Sequence, residues 1–215
     1  GRNEELAAIH AAMSDPDSSG VVLHGAAGVG KSRIAREALA RAAGAGSTTH
    51  WAVGTASARA LPLGALTAWM TAEMDGPQLV RLMVDALTTT SHGAAVIVGV
   101  DDVHLLDDLS AFVLHQIARR RTAKLVLTLR DGETVPPGVQ EIWAAGEFHR
   151  IDLQPLSADE TAGLLSVTLG GTVDPGAGHR LWSLTRGNVL YLHHMVEQEV
   201  SAGRLAPDDG CWRWA

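Results

Sequence analysis

The chain has 215 residues, of which 46% are hydrophobic and 19% charged, which is enough apolar material for a folded core and excludes a disordered chain. A formal charge of −7 with no dense basic stripe argues against this segment itself gripping a polyanion. The single cysteine, Cys211, excludes an internal disulfide framework and fits a reducing compartment, by default the cytoplasm, while the longest apolar run, 94–100, is too short to span a bilayer. The start carries Arg2, Glu4 and Glu5 instead of a signal-peptide pattern, so neither export nor membrane insertion is expected.

In chain order, Asn3, Glu4 and Glu5 ahead of Leu6, Ile9 and Met13 predict a capped amphipathic helix ending before Pro16. A turn over 15–20 leads to Val21-Val22-Leu23-His24, a short buried strand, then to a glycine-rich loop and a helix over 34–43. A second strand is expected at 50–53, followed by irregular chain to Pro62 and helical stretches at 63–71 and 77–88, with Pro77 at a first-turn position. Residues 95–100 form the clearest buried strand, closing on Asp101-Asp102. A helix over 109–120, a strand over 125–129, a turn through Pro136-Pro137, a short helix and a strand over 148–153 complete the alternation. Alternating strands and helices imply an α/β fold with a mainly parallel, doubly wound sheet. From Ser157 the pattern changes: Ser157 with Glu160 makes a capping box, and helices are expected at 158–169, 176–185 and 188–202 with no strand signal between them. Residues 211–214 have period two and two tryptophans, with no partner strand in view. The expected division is an α/β domain over 1–155, a small helical lid over 156–203 and the start of a further domain over 204–215.

The chemistry concentrates in Gly25-Ala26-Ala27-Gly28-Val29-Gly30-Lys31-Ser32, a full match to G-x-x-x-x-G-K-[ST]. The glycines let consecutive backbone N–H groups turn toward a β-phosphate, and the following helix directs its positive end at the same anion. Lys31 would reach the β- and γ-phosphates and Ser32 would ligate Mg²⁺. The bland alternative is a glycine-rich turn, but this loop sits between a buried strand and a helix, where the phosphate-binding role needs it. Asp101 ends the strongest strand and is the candidate metal-side carboxylate; Asp102 is the candidate base for an attacking water. Two aspartates capping a turn are the alternative. Arg130, after the strand 125–129, emerges at the same sheet edge and is a candidate γ-phosphate sensor, the alternative being a surface ion pair with Asp131. Arg119-Arg120-Arg121 read as a solvated helix end sooner than as a finger for a neighbouring subunit. The ten histidines form no H-x-x-x-H or Cys/His cluster, which argues against a histidine metal site, and Trp69, Trp143 and Trp182 read as packing residues.

Together these segments resemble the ATPase module of large LuxR-type bacterial transcription regulators, within the STAND branch of the AAA+ superfamily. Gly1-Arg2-Asn3-Glu4-Glu5-Leu6 is similar to the family's opening G-R-x-x-E-L box, and the P-loop followed by Arg33 to its nucleotide loop. Asp101-Asp102-Val103-His104-Leu105-Leu106-Asp107 is similar to its D-D-x-H-W-x-D segment, with Leu105 in place of the tryptophan, and Leu127 to Asp131 to its sensor strand. Pro155-Leu156-Ser157 resembles the start of its helical lid, and Gly187-Asn188-Val189 its G-N-P motif, with Val189 where proline is usual. The resemblance implies ATP and ADP as ligands with Mg²⁺, Arg2, Arg33 and Asn188 among the nucleotide-contacting residues, and a switch that passes its state to downstream domains of the same polypeptide. DNA would be met only through a C-terminal helix-turn-helix outside these residues, and nucleotide-dependent self-association would be open to it.

Three further readings compete with a slowly hydrolysing switch. One is a module that holds nucleotide without hydrolysis, which the short aspartate at 102 would permit. Another is an AAA+ initiator or clamp-loader relative, against which the acidic balance counts. The last is a small-molecule kinase, which would need an arginine-bearing insert in the α/β core. The phosphates do not distinguish ATP from GTP; no N-K-x-D follows to read guanine, and adenine preference rests on the family.

Overall fold

The computed structural model describes residues 2–71, 78–90 and 93–214, so Gly1 of the opening box and the expected first-turn Pro77 lie outside the described residues. The chain forms two compact units, one of residues 4–25 and 31–152, the other of residues 2–3, 26–30 and 153–214.

The larger unit follows helix α1 (Asn3–Ser14) with strand β1 (Ser18–Gly25), helix α2 (Lys31–Gly44) and strand β2 (Thr48–Val53). Helix α3 (Leu79–Thr88), strand β3 (Val96–Asp101), helix α4 (Asp108–Arg120), strand β4 (Lys124–Arg130), helix α5 (Pro137–Ala145) and strand β5 (Glu147–Asp152) follow. The strands lie in the order β2-β3-β4-β1-β5, and every neighbouring pair is parallel. That is the mainly parallel α/β sheet expected from the alternation. Right-handed crossovers put α2 on one face, since β1 connects to the far edge strand β2, and α3, α4 and α5 on the other, where α4 packs on both α3 and α5. β1 begins three residues earlier than its apolar run, through Gly20, whose φ is +148 and where a Cβ would stand 1.9 Å from the Leu125 carbonyl oxygen of β4. The core joins Val98 and Val100 of β3, Leu125 and Leu127 of β4 and Leu114 and Ile117 of α4, all at 0% exposure, which is why β3 and β4 read as continuous apolar runs.

The stretch expected to be helical at 63–71 is a 3-10 helix at Gly64–Trp69. Leu63 has φ +55, and the Asp107 carboxylate accepts from Leu63 N (2.9 Å) and Gly64 N (3.1 Å). The leading N–H groups are thus bound from outside, and the left-handed residue stops a longer α-helix from growing backward.

The smaller unit carries helix α6 (Ala158–Leu169), opened by the Ser157–Glu160 capping box, strand β6 (Thr172–Val173), helix α7 (Pro175–Thr185) and helix α8 (Val189–Ser201), then strands β7 (Leu205–Asp208) and β8 (Cys211–Trp214). Here the sequence expectation is corrected. Residues 211–214 do have partners: β8 lies between β6 and antiparallel β7 in a three-stranded sheet. Trp212 and Trp214 pack on Leu165, Leu181, Leu192, Val196 and Leu205, so 204–214 belongs to the core of the helical unit. The buried Glu199 carboxylate ties the hairpin down by accepting from Arg204 Nε (2.6 Å) and Nη2 (2.7 Å) and from Trp214 Nε1 (2.9 Å). A two-residue strand such as β6 is too short to show any period in sequence.

Candidate phosphate-binding site

In the larger unit the site residues gather at the carboxyl edge of the parallel sheet, where open α/β folds bind ligands. β1 delivers Gly25, which pairs in register with Arg130 of β4, and Asp131 N donates to Gly25 O at 3.1 Å. Lys31 is 6% exposed and its Nζ donates to Gly25 O at 2.7 Å. Burial pushes its ammonium below the usual lysine range; Asp102 opposes that shift most, while Arg130 adds to it. All three charges therefore act on one another.

One hydrogen-bonded chain links three elements. Ser32 Oγ donates to Asp101 Oδ1 at 2.8 Å, and Thr128 Oγ1 donates to the same oxygen at 2.6 Å. Thr128 Oγ1 in turn accepts from Asp102 N at 2.9 Å. Asp102 stands at φ +49, ψ +55, a left-handed conformation that aspartate tolerates better than most residues. Arg130 Nη2 donates to Asp102 Oδ2 at 3.2 Å. The sequence-derived set Lys31, Ser32, Asp101, Asp102 and Arg130 is thus brought together. Arg33 is exposed on α2, where it lines a surface depression with Ser32 and Arg36. Arg119 to Arg121 end α4 ahead of β4, whose other end carries Arg130.

Three residues outside the sequence-derived set shape this edge. Thr128, fully buried, orients Asp101 and fixes the backbone of Asp102. Gly54 donates its N–H to Asp101 O at 2.8 Å, and a Cβ there would lie 2.5 Å from Asp102 O. His104 is 3% exposed, and burial lowers its pKa. Two of them carried a sequence signal: Thr128 is a lone hydroxyl in an apolar strand, and His104 stands at the histidine of the D-D-x-H-W-x-D resemblance. Replacing Thr128 by valine, nearly the same shape, is expected to lower Mg²⁺-dependent nucleotide affinity about tenfold with little loss of secondary structure, because Asp101 loses its second donor. Titration calorimetry with and without Mg²⁺ checks this; equal losses under both conditions would contradict it.

In the smaller unit the middle of the loop meets the start of α8. Asn188 Nδ2 donates to Ala27 O at 2.7 Å, its Oδ1 accepts from Leu190 N and Tyr191 N, and Leu190 N donates to Gly28 O at 3.1 Å. Asn188 therefore caps α8 and holds the loop with the same amide. Gly28 (φ +79) and Gly30 (φ +102) supply the turns that aim N–H groups inward. A Cβ at Gly30 would meet nothing within 4 Å among the described residues. Val29 O and Gln154 O both accept from Arg2 Nη2, at 3.4 and 2.5 Å, which makes Arg2 a clasp between one carbonyl of the loop and the chain at residue 154.

A parallel sheet with this strand order, a strand-loop-helix phosphate motif after β1 and a carboxylate pair at the end of β3, with β4 between the two strands, define a P-loop NTPase. A sequence model described as the AAA ATPase domain matches residues 1–129, and the chain belongs to that family. No curated protein matches the chain. Among solved structures it is similar to the ORC1 protein of Aeropyrum pernix in complex with DNA, at 20% identity and TM-score 0.65, over 99% of this chain and 62% of that one. It is also similar to AMPPCP-bound DnaA from Aquifex aeolicus, at 14% identity and TM-score 0.65, over 94% of this chain and 63% of that one. A RuvB variant from Thermotoga maritima matches at 14% identity and TM-score 0.61, over 92% and 60%. The chain spans about three fifths of the length of these proteins, and at such identities the likeness is one of fold. The chain is an AAA+ ATPase-type nucleotide-binding domain. No helix among the described residues is long and apolar enough to cross a membrane.

Proposed function

We propose that this chain is the ATP-dependent switch domain of a cytoplasmic LuxR-type transcription regulator, with slow Mg²⁺-dependent hydrolysis. The observation that carries the nucleotide chemistry is the Ser32–Asp101–Thr128 chain beside buried Lys31. The regulatory context rests on the segment order from Arg2 through Asn188.

The residues fit the groups they would hold. Two hard oxygens, the Ser32 hydroxyl and the Asp101 carboxylate, stand 2.8 Å apart and suit a shared Mg²⁺. Bound there, Mg²⁺ would neutralise charge on the terminal phosphates. The loop N–H groups from Ala26 to Gly30 and the Lys31 ammonium would hold the β-phosphate, and Arg130 the γ-phosphate. Asp102 would orient and deprotonate the attacking water. Its carboxylate is one methylene shorter than a glutamate and already accepts from Arg130, both of which favour slow turnover. Asn188 serves the loop, so its part in nucleotide binding would be to hold the Ala27 carbonyl in place. The division into an ATPase domain over 1–155 and a lid from 156 is part of the same proposal, with the lid running on through the β7–β8 hairpin.

Asp102→Asn is expected to bind ATP and to lose turnover, because the amide cannot take the proton. Single-turnover hydrolysis decides this, and wild-type rates in the variant would move the base elsewhere. If wild-type protein itself produced ADP only at the background rate, the domain would hold nucleotide without hydrolysing it. An initiator-type reading is favoured by the fold likeness to ORC1 and DnaA. It requires ATP-dependent DNA binding by this segment alone, whereas the regulator reading places that activity in a helix-turn-helix beyond residue 215. A gel-shift assay with these 215 residues separates them.

A further inference from the structure

The Arg130 guanidinium has two claimants. It donates to Asp102 Oδ2 at 3.2 Å, and the Arg130 backbone pairs in register on β4 with Gly25 of β1, the first residue of the phosphate loop. The pair is only partly screened, with side-chain exposures of 39% for Arg130 and 23% for Asp102. Arg130 Nε is buried and, among the described residues, has no hydrogen-bond partner. Among the described residues the guanidinium's side-chain acceptor is the Asp102 carboxylate, the group assigned to the base. Asp102 is held to this geometry by its own backbone, through the left-handed turn and the N–H bond to Thr128 Oγ1.

We infer that Asp102 sets how strongly the site distinguishes a nucleoside triphosphate from a diphosphate, by competing with the terminal phosphate for Arg130. The inference rests on the proposed role of Arg130 toward the γ-phosphate and extends it to specificity. A γ-phosphate approaching Arg130 must draw it from Asp102 and tolerate that carboxylate as a neighbouring negative charge. Both effects oppose the triphosphate. A diphosphate presents no group at that point and meets neither. The carboxylate thus keeps triphosphate affinity below what the loop, Lys31 and Arg130 would give unopposed.

The test is titration calorimetry of this 215-residue chain with Mg²⁺ and either a non-hydrolysable ATP analogue or ADP, in wild type, Asp102→Asn, Arg130→Ala and the double variant. Asparagine tolerates the left-handed conformation at 102 as well as aspartate does, and circular dichroism checks that each variant folds. Asp102→Asn is expected to tighten the triphosphate analogue about threefold to tenfold while ADP stays within about twofold. Arg130→Ala should weaken the analogue more than ADP, and in its background Asp102→Asn should gain less than about twofold for the analogue. Equal effects on both nucleotides, a weaker triphosphate in Asp102→Asn, or an undiminished gain without Arg130 each overturn the inference and leave the phosphate-loop reading intact. Wild-type protein that bound neither nucleotide would sink both.

Discussion

Lys31→Ala is expected to lower ATP affinity by about a hundredfold or more, since removing a buried cation from an ionic contact costs about 3 kcal/mol or more. The size follows from where the ammonium sits. At 6% exposure it is shielded from bulk water, so its interaction with a phosphate is weakly screened. Its Nζ donates to Gly25 O, the carbonyl at which β1 ends and the loop begins. The fold should survive. Lys31 is the first residue of α2, where alanine is at least as good a helix former, and the neighbouring core residues Ile34 and Ala35 are untouched. Two measurements are therefore paired: calorimetry for ATP, and circular dichroism for α2 and the sheet. Unchanged affinity in a folded variant would remove phosphate binding at this loop as the basis of function. Lost affinity with lost structure would instead make Lys31 a packing residue.

The parts of this edge that were legible in the sequence share one property: each is local. The loop from Gly25 to Ser32 is a contiguous motif, Asp101-Asp102 end a largely apolar run, and Arg130 ends another. A strand's apolar run tells where it ends, and in a parallel sheet the ends carry the chemistry. Thr128 could not be read this way. Its value depends on β3 and β4 being neighbours, which places its hydroxyl between Asp101 and the Asp102 N–H, and adjacency is a property of strand order. Gly54 is the same case, since its significance lies in the 2.5 Å between an imagined Cβ and Asp102 O. Asp107 shows a local motif whose reach is non-local: its carboxylate caps α4 through Ser110 N and also binds Leu63 and Gly64, 44 and 43 residues away in sequence. Only β8 of the small sheet showed a period in sequence, and its partners β6 and β7 escaped for a third reason. The strands of this sheet have two to four residues, and Trp212 and Trp214 of β8 pack with the helices in the core of this unit, which no period in β6 or β7 announces.

Gly28→Ala is expected to release the start of α8 and to lower ATP affinity by about tenfold or more, through a steric route that Gly30→Ala does not share. At Gly28 the new methyl meets two obstacles. Its φ of +79 costs an L-residue about 1–2 kcal/mol. Its Cβ would also stand 2.4 Å from Asn188 Oδ1 and 3.0 Å from Leu190 Cβ, both belonging to the turn that caps α8. Asn188 must then give way. Moving it removes the acceptor of Leu190 N and Tyr191 N, a loss of about 1 kcal/mol for an N-cap, and takes the donor from Ala27 O. Gly30 has φ +102 but, among the described residues, no atom within 4 Å of its Cβ position, so alanine there brings backbone strain alone. Hydrogen exchange separates the two. Amides 190 and 191 should exchange faster in Gly28→Ala and at the wild-type rate in Gly30→Ala. If both variants loosened those amides equally, loop strain would be the common cause. The contact between Gly28 and Asn188 would then not be what ties the phosphate loop to α8.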